Sequence, residues 1–145
     1  MFYGEYVHTI DRKGRLILPA RLREMSKENG IDRFFATRGL DKCIFMFSDE
    51  EWRLQEQKFR SMPFTRQETR SFNRLFFSGA VEVVPDRQGR FMIPQYLKEF
   101  AGIKRETTII GVSNRIDIWD SATWRNFYTT SQESFEETAE KILNV

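Results

Sequence analysis

The chain has one cysteine, one histidine and no long apolar run, and each shortage excludes a class of protein. A single cysteine, Cys43, permits no intramolecular disulfide. One cysteine and one histidine cannot supply a zinc cage, so we expect no structural metal and no cofactor. Charged residues make up 30% of the chain, and no stretch approaches the roughly 20 apolar residues that cross a bilayer. We therefore expect no membrane insertion.

The first ten residues lack the features of a secretory signal. They include Glu5 and His8, and no basic segment among them is followed by an apolar one. We therefore expect a cytoplasmic protein.

The residue types that usually carry catalysis are few. His8 falls in a predicted strand, and Cys43 is followed by the apolar residues 44–47, which favours a small buried hydrophobe. The sequence has no Ser/His/Asp or Cys/His arrangement, no glycine-rich phosphate loop and no HExxH helix. Asp49 and Glu50 stand together at a predicted helix start, where the helix dipole already explains them. We predict that the chain is not an enzyme and has no small-molecule substrate.

The charge is unevenly distributed, although its total is small. The 145 residues carry 23 Lys and Arg against 21 Asp and Glu, and a net charge of +2 is by itself a weak indication of nucleic-acid binding. Residues 11–23 hold five basic side chains against one acidic one, whereas the glutamates between 133 and 140 form an acidic segment. With 40% hydrophobic residues, the chain can bury the core of one compact domain, or of two small units that share it.

An internal repeat organises the chain. Residues 11–24 read DRKGRLILPARLRE and residues 86–99 read DRQGRFMIPQYLKE. Seven of these 14 positions are identical, where chance would give about one. A weaker match continues at an offset of 72 residues, from Gly39 and Gly111 onwards. We interpret residues 1–76 and 77–145 as two copies of one unit.

Each copy predicts the same series of elements. A strand enters a glycine-containing turn, a short apolar strand leaves it, and a proline begins a helix. Two more strands and a pair of helices follow. Each copy offers only about four short strands, so we expect the copies to complete one shared barrel or sheet with pseudo-two-fold symmetry, an α+β fold. The predicted strands are 3–10, 16–18, 34–37 and 44–47 in the first copy, and 77–84, 91–93, 107–112 and 116–119 in the second.

The helical pairs are predicted from capping boxes and apolar faces. The predicted helices are 49–60, 65–77, 121–129 and 131–143. Capping boxes are predicted at Ser48 with Glu51, Thr65 with Glu68, and Thr130 with Glu133. The apolar faces around Phe72, Leu75, Phe76 and Phe135 could form an intramolecular core or subunit contacts, and an intramolecular core is the interpretation we favour.

The repeated turn reads Asp-x-x-Gly-Arg in both copies. Gly14 and Gly89 supply the positive φ that a tight hairpin tip demands. Asp11 and Asp86 can accept hydrogen bonds from backbone N–H groups two residues on, or can pair with the arginine four residues on. These four residues therefore have a structural explanation.

The basic residues of the turns are harder to explain by packing. Arg12, Lys13 and Arg87 have no apolar reason to stand at the tip and should project outward. Guanidinium groups on a rigid ribbon suit phosphate oxygens or a guanine edge, and a two-stranded ribbon fits the DNA major groove. Charged turn residues that only favour solubility remain the competing interpretation.

The two DxxxR turns, D11RKGR15 and D86RQGR90, resemble those of the bacterial MraZ family. Each turn is followed by an apolar strand and a proline, and the N-terminal strand FYGEY resembles the family as well. The family belongs to the AbrB-like swapped-hairpin superfamily. The resemblance therefore implies two tandem AbrB-like repeats that form a pseudo-two-fold swapped-hairpin β-barrel with flanking helical hairpins.

The resemblance also implies a function. MraZ proteins are transcriptional regulators of the division and cell-wall gene cluster, and they bind repeated promoter elements of their own operon. A nucleoid-associated homo-oligomer, a ring of several subunits with its DxxxR turns on double-stranded DNA, is the implied assembly. Gln88 stands where the first copy has Lys13, so the second turn carries one charge fewer. The DNA-facing positions that the resemblance implies are Arg12, Lys13, Arg15, Arg87, Gln88 and Arg90.

Two other interpretations remain open. A protein-binding regulator could grip an acidic or toxin-like partner with its basic turns, and its own acidic segment could be a partner surface or a solvated face. Alternatively, Arg66, Arg70 and Arg74 have the spacing of four that puts them on one helix face, which could be a second DNA surface. The residues of the acidic segment are Glu133, Glu136, Glu137 and Glu140.

Overall fold

The strands and helices follow one another in the same order in both copies, as the repeat predicts. The computed structural model describes residues 1–144. The first copy forms β1 (Phe2–Thr9), β2 (Arg15–Ile17), α1 (Ala20–Glu28), β3 (Phe34–Arg38), β4 (Ile44–Ser48), α2 (Asp49–Arg60) and α3 (Gln67–Ser78). The second copy forms β5 (Val81–Val83), β6 (Arg90–Met92), α4 (Gln95–Phe100), β7 (Glu106–Ser113), β8 (Ile116–Asp120), α5 (Ser121–Glu133) and α6 (Phe135–Leu143).

The strand order exchanges the first strands of the two copies. Six antiparallel strands form one sheet in the order β1-β7-β8-β4-β3-β5, and β2 pairs with β6 in a separate two-stranded ribbon. Strand β1 of the first copy pairs with β7 of the second along all eight residues, and β5 of the second copy pairs with β3 of the first. If every strand is replaced by its equivalent in the other copy, the same strand order results, read from the opposite edge of the sheet. The shared sheet and its pseudo-symmetry are therefore as predicted.

The strand pairing does not close a barrel within residues 1–144. Strands β1 and β5 are the two edges of the sheet, and no ladder joins them. The ribbon strands are only three residues long and pair with each other, so they do not bridge the edges. The structure is therefore an open sheet with a ribbon, and the expected closed barrel is not what the pairing forms.

The edge strand β5 is much shorter than predicted. A strand over 77–84 was expected, but Phe77 and Ser78 are the last residues of α3. The side chain of Phe77 packs edge-on against Trp52, with ring centroids 5.8 Å apart. This contact keeps the start of the predicted strand in the helix, so only Val81–Val83 pairs with the sheet.

One hydrophobic core is built from both copies. Leu22 of α1 and Leu97 of α4 occupy equivalent repeat positions, and both are fully buried. Burial of a leucine or isoleucine side chain contributes about 1.5–3 kcal/mol, so the shared core is a large part of the stability of either copy. Other members from the two copies are Leu16, Leu18, Ile44, Phe91, Ile93, Ile109 and Ile118.

A second, aromatic cluster joins the α2–α3 hairpin to the sheet. Trp52 stacks on Phe76 at 5.5 Å between ring centroids and lies 5.9 Å from Phe47. Phe59 and Phe72 meet at 4.7 Å. The predicted intramolecular use of Phe72 and Phe76 is therefore correct.

The predicted helix starts are partly correct. Half of the capping box predicted at Ser48 is present at the start of α2, because the Glu51 N–H donates to Ser48 Oγ at 3.2 Å. The Glu51 carboxylate instead accepts from Gln55 and Asn114. The box at Thr65 is wrong, since Arg66 precedes the first residue of α3 and its side chain makes no cap. The box at Thr130 is wrong too, because Thr130 lies inside α5, and the break between the last two helices is at Ser134. At Thr130 the pattern misled because a Ser/Thr-x-x-Glu sequence also fits a helix interior.

Helix α6 contacts little of the protein. Phe135 is 73% exposed and Leu143 is 80% exposed, so the core use that we favoured for Phe135 is wrong. Leu75 of α3 is exposed as well. None of the helices within residues 1–144 combines the length and the apolar character of a membrane-spanning segment.

Candidate nucleic-acid interface

The β2–β6 ribbon has one buried and one exposed face. Leu16 lies opposite Phe91, and both point into the core. Because side chains alternate along a strand, Arg15 and Arg90 lie on the outer face. The register makes these two arginines diagonal neighbours across the ribbon, an arrangement that brings Cβ atoms to somewhat less than about 7–8 Å of each other. The outer face therefore carries a pair of guanidinium groups.

The first turn is fixed by one carboxylate. Asp11 Oδ1 accepts hydrogen bonds from the backbone N–H groups of Lys13 and Arg15, both at 2.9 Å. Asp11 Oδ2 accepts from Arg15 Nε at 2.6 Å. Gly14 has a φ of +83°, and a Cβ there would collide with the carbonyl oxygen of Ile93. Asp11 thus accepts the backbone hydrogen bonds and also pairs with the arginine four residues on, the two contacts that the sequence left as alternatives.

The second turn repeats this geometry. Asp86 Oδ1 accepts from the backbone N–H groups of Gln88 and Arg90 at 2.9 Å, and Oδ2 accepts from Arg90 Nε at 2.9 Å. Gly89 has a φ of +82°. The two DxxxR turns are therefore equivalent in backbone and in the Asp–Arg pair.

The Asp–Arg pairs leave part of each guanidinium free. Backbone and side-chain hydrogen bonds from Arg15 hold the pKa of Asp11 below its ordinary value of 3.8, and a backbone hydrogen bond from Arg90 does the same for the pKa of Asp86. Both carboxylates are therefore ionised at neutral pH. Each arginine uses only Nε for this pair, and its two Nη groups have no partner within residues 1–144. The arginine side chains are 58% and 62% exposed.

A groove of about 700 Å³ brings the two turns together. It is lined by Arg15 and Arg90, by Asp11 and Asp86, and by the ribbon residues between them. The remaining residues that the resemblance implies are exposed at the tips, namely Arg12, Lys13, Arg87 and Gln88. Arg12 and Arg87 each line a further cavity, one beside each turn.

Two cations that fasten the turns were missed in the sequence. Arg23 Nη1 donates to the backbone carbonyl of Gln88, and Lys98 Nζ donates to the backbone carbonyl of Asp11 at 3.3 Å. Arg23 and Lys98 are equivalent in the repeat, so each copy holds the turn of the other. The signal was present, because both copies keep a cation at this position.

The helical arginines are a weaker candidate surface. Arg66 pairs with Glu68 at 3.2 Å. Arg70 Nη1 donates to the backbone carbonyls of Phe64 and Thr65, both at 3.0 Å. Arg70 therefore stabilises the loop between α2 and α3, Arg66 is paired with a carboxylate of α3, and the stripe offers fewer free cations than its spacing indicated.

The only cysteine is not a reactive group in this fold. Cys43 is fully buried, and its Sγ donates to the carbonyl of Leu40 at 3.2 Å. Burial raises the pKa of the Cys43 thiol far above its ordinary value, so almost none of it is thiolate at neutral pH.

Comparison with known families decides the relationship. A family model described as "MraZ protein, putative antitoxin-like" matches residues 1–75 and matches again over residues 76–145. The chain belongs to the MraZ family. Each of the two MraZ matches contains one DxxxR turn and the short ribbon strand after it; the first also contains α2 and most of α3, and the second contains α5 and α6. The geometry described above is thus that of two tandem MraZ domains with one shared core.

Proposed function

We propose that this MraZ-family chain is a sequence-specific DNA-binding transcriptional regulator, and that its contact surface is the outer face of the β2–β6 ribbon with both DxxxR turns. The observation that carries the proposal is the pair of arginines whose Nε atoms are held by aspartates while their Nη groups stay exposed. Such a fork matches a phosphate or the O6/N7 edge of guanine. A two-stranded ribbon also fits a major groove about 12 Å wide.

The charge of the surface supports the same function. The two turns carry five basic and two acidic side chains, and both acids are engaged with arginines. The net positive charge favours a polyanion over a neutral or cationic partner. We propose that the protein acts in the cytoplasm on the nucleoid, has no catalytic activity, and regulates the division and cell-wall gene cluster through repeated elements upstream of its own gene.

We propose that the chain works as a ring of several subunits. Helix α6 exposes Phe135 and Leu143 beside its glutamates, whereas residues 58–78 expose Phe64 and Leu75 and carry five basic side chains against one acidic one. Opposite charge around exposed apolar residues favours contact between α6 of one subunit and residues 58–78 of the next. A contact between two different surfaces produces a ring when its rotation closes.

A ring would compensate for the small contact of each subunit. Two turns contact few phosphates, so a single subunit should bind weakly. Linked contacts can raise affinity by about 10² to 10⁴ when the spacing of DNA elements matches the spacing of subunits. Gel filtration with light scattering measures the oligomer, and a single-subunit mass would contradict this part of the proposal.

The decisive experiment removes the arginines. We expect Arg15→Ala and Arg90→Ala to abolish gel shift of the region upstream of the gene, with an unchanged circular dichroism spectrum because both side chains are exposed. Arg53→Ala, which removes an exposed cation from α2, is the matched control and should bind normally. Full binding by both turn variants, or loss of binding only in the Arg66, Arg70 and Arg74 triple alanine variant, would reject the turns as the contact surface.

A second candidate function is supported by the family description. It calls the family antitoxin-like, and the exposed acidic helix α6 offers a surface for a protein partner. The two functions differ in their response to salt. DNA affinity should fall steeply as salt rises, because several phosphate contacts release counterions together. Failure to shift any duplex at low salt would favour the protein-binding function.

A further inference from the structure

A second cationic cavity lies beside the first turn. It has a volume of about 480 Å³ and is lined by Arg12, Lys98, Lys104 and Arg105, with Asp11 as its one acidic residue. The ribbon groove is also lined by Asp11, so the two concavities meet at the base of the turn. The positive surface therefore continues from the ribbon around the first turn.

The cavity is held in place by the backbone. The Ile10 N–H donates to the Arg105 carbonyl at 2.8 Å, which ties the chain before the turn to the segment that carries the cations. The Lys104 N–H donates to Asp120 Oδ1 at 3.2 Å. Lys104 and Arg105 are both exposed, and neither forms an ion pair within the part of the chain that the structure describes. Their charges are therefore available to a ligand.

The acidic groups around the cavity are already engaged. Asp11 is paired with Arg15 at 2.6 Å. Asp120 is buried and also accepts from the Thr123 N–H, and Glu106 is paired with Arg125 at 3.3 Å. Within residues 1–144, no carboxylate lies within 4 Å of the cationic group of Lys104 or Arg105.

The second turn lacks this feature, although the fold around it is the same. Gly30 and Gly102 both have positive φ after their helices, and the following Ile31 and Ile103 both donate an N–H to the carbonyl five residues earlier. This shared geometry makes the next two residues equivalent between the copies. The equivalents of Lys104 and Arg105 are therefore Asp32 and Arg33.

The charges beside the two turns consequently differ. Residues 104–105 form the flank of the first turn, and residues 32–33 form the flank of the second. Asp32 reverses the charge of Lys104. Arg33 is paired with Asp49 at 3.4 Å and with Glu82 at 3.1 Å, so it is not free as Arg105 is. The cavity beside the second turn, of about 430 Å³, is lined by three basic and two acidic residues: Arg23, Lys27, Arg87, Asp32 and Asp86.

We propose that the cavity beside the first turn is a second phosphate site, in which Lys104 and Arg105 bind backbone phosphates of the DNA that flanks the first DxxxR turn. The ammonium and guanidinium groups are hydrogen-bond donors only, which suits phosphate oxygens. The two turns of one subunit then hold DNA unequally, with the stronger backbone contact at the first turn. This inference rests on the proposed DNA-binding function.

The test exchanges the charges of the two flanks. Lys104→Asp should weaken binding of the upstream duplex far more than Arg53→Asp, which makes the same change of charge on α2. The slope of log affinity against log salt should fall by about 0.9 for each phosphate contact that is lost. Asp32→Lys, which gives the second flank the cation of the first, should strengthen binding and steepen the slope. Light scattering of each variant checks that the oligomer is unchanged.

Two outcomes separate this inference from the function on which it rests. Retained binding by Arg15→Ala and Arg90→Ala would reject the proposed function itself. Loss of binding in those variants, together with equal affinities of Lys104→Asp and Arg53→Asp, would reject only the second phosphate site. Ethylation interference gives an independent readout, because phosphates flanking one turn should be required in the wild type and not in Lys104→Asp.

Discussion

Substitution of both groove arginines by lysine tests whether the turns read DNA through geometry or only through charge. Arg15→Lys and Arg90→Lys keep the positive charge of the ribbon but remove the planar fork. In the wild type, Nε of each arginine is held by an aspartate and two Nη groups face outward. A lysine ammonium can contact either the aspartate or the DNA, and it cannot make the paired contact of a guanidinium.

The expected loss follows from the number of forks. A bidentate contact between arginine and guanine discriminates by about 1–3 kcal/mol. Arg15→Lys or Arg90→Lys alone should therefore weaken specific binding by about 5-fold to 150-fold when the substituted arginine contacts a base, since about 1.4 kcal/mol corresponds to tenfold. The salt dependence should stay the same, because no charge is lost. The alanine variants should have both a lower affinity and a smaller salt dependence, because each removes a positive charge.

Fluorescence anisotropy with the upstream duplex and with an unrelated duplex of equal length measures both quantities across a salt series. The lysine variants should approach the wild-type affinity for the unrelated duplex and lose most of the preference for the upstream one. If they keep the full preference, the arginines act as point charges and the argument from their geometry is wrong.

Three further predictions concern the fold that carries the turns. Leu97→Ala should lower the free energy of unfolding by about 2–5 kcal/mol in urea, because Leu97 is fully buried in the shared core, and a loss below about 1 kcal/mol would mean that the core collapses around the gap. Cys43 should resist thiol reagents in the native protein and react once urea unfolds the chain, and rapid native labelling would contradict its burial. The pKa values of Asp11 and Asp86 are lowered from 3.8, so their stabilisation should be complete above that pH and be lost as pH falls through the lower folded values; urea unfolding should show the advantage over Asp11→Asn with Asp86→Asn shrinking as the pH falls below 3.8.

The turns were the most predictable part of the molecule because their contacts are local. An aspartate, a glycine and an arginine within five residues already define which N–H and carbonyl groups can meet. The sequence was also sufficient for the shared sheet, since neither copy has enough strands for a stable sheet of its own.

The partner of each strand was not predictable in the same way. A duplicated sequence presents the same strand patterns twice, so pairing within a copy and pairing between copies satisfy the pattern equally well. The exchange of β1 and β5 is settled by tertiary packing alone. The predicted strand over 77–84 failed for a related reason, because a short apolar run such as Phe76–Phe77 fits a helix face as well as a strand.

The charged flanks were hidden by a shift in the repeat. The turns match at an offset of 75 residues, but α1 is three residues longer than α4, so the residues after these helices match at 72. Sequence comparison at the first offset does not align Asp32 with Lys104. The positive-φ glycines and the hydrogen bonds after them establish that the offset of 72 already applies at Asp32 and Lys104.

Because the first strand of each copy pairs with a strand of the other copy, the duplication affects which substitutions such a chain can accumulate in evolution. A homodimer of one single repeat would complete the same sheet, but a mutation would then appear on both sides at once. Covalent fusion of two repeats removes this constraint, so one half can acquire or lose a charge while its counterpart keeps the original residue. Differences of this kind are found between Lys13 and Gln88 and between Lys104 and Asp32. They give one subunit a surface whose two halves differ in charge, although the backbone of the two halves is nearly symmetrical.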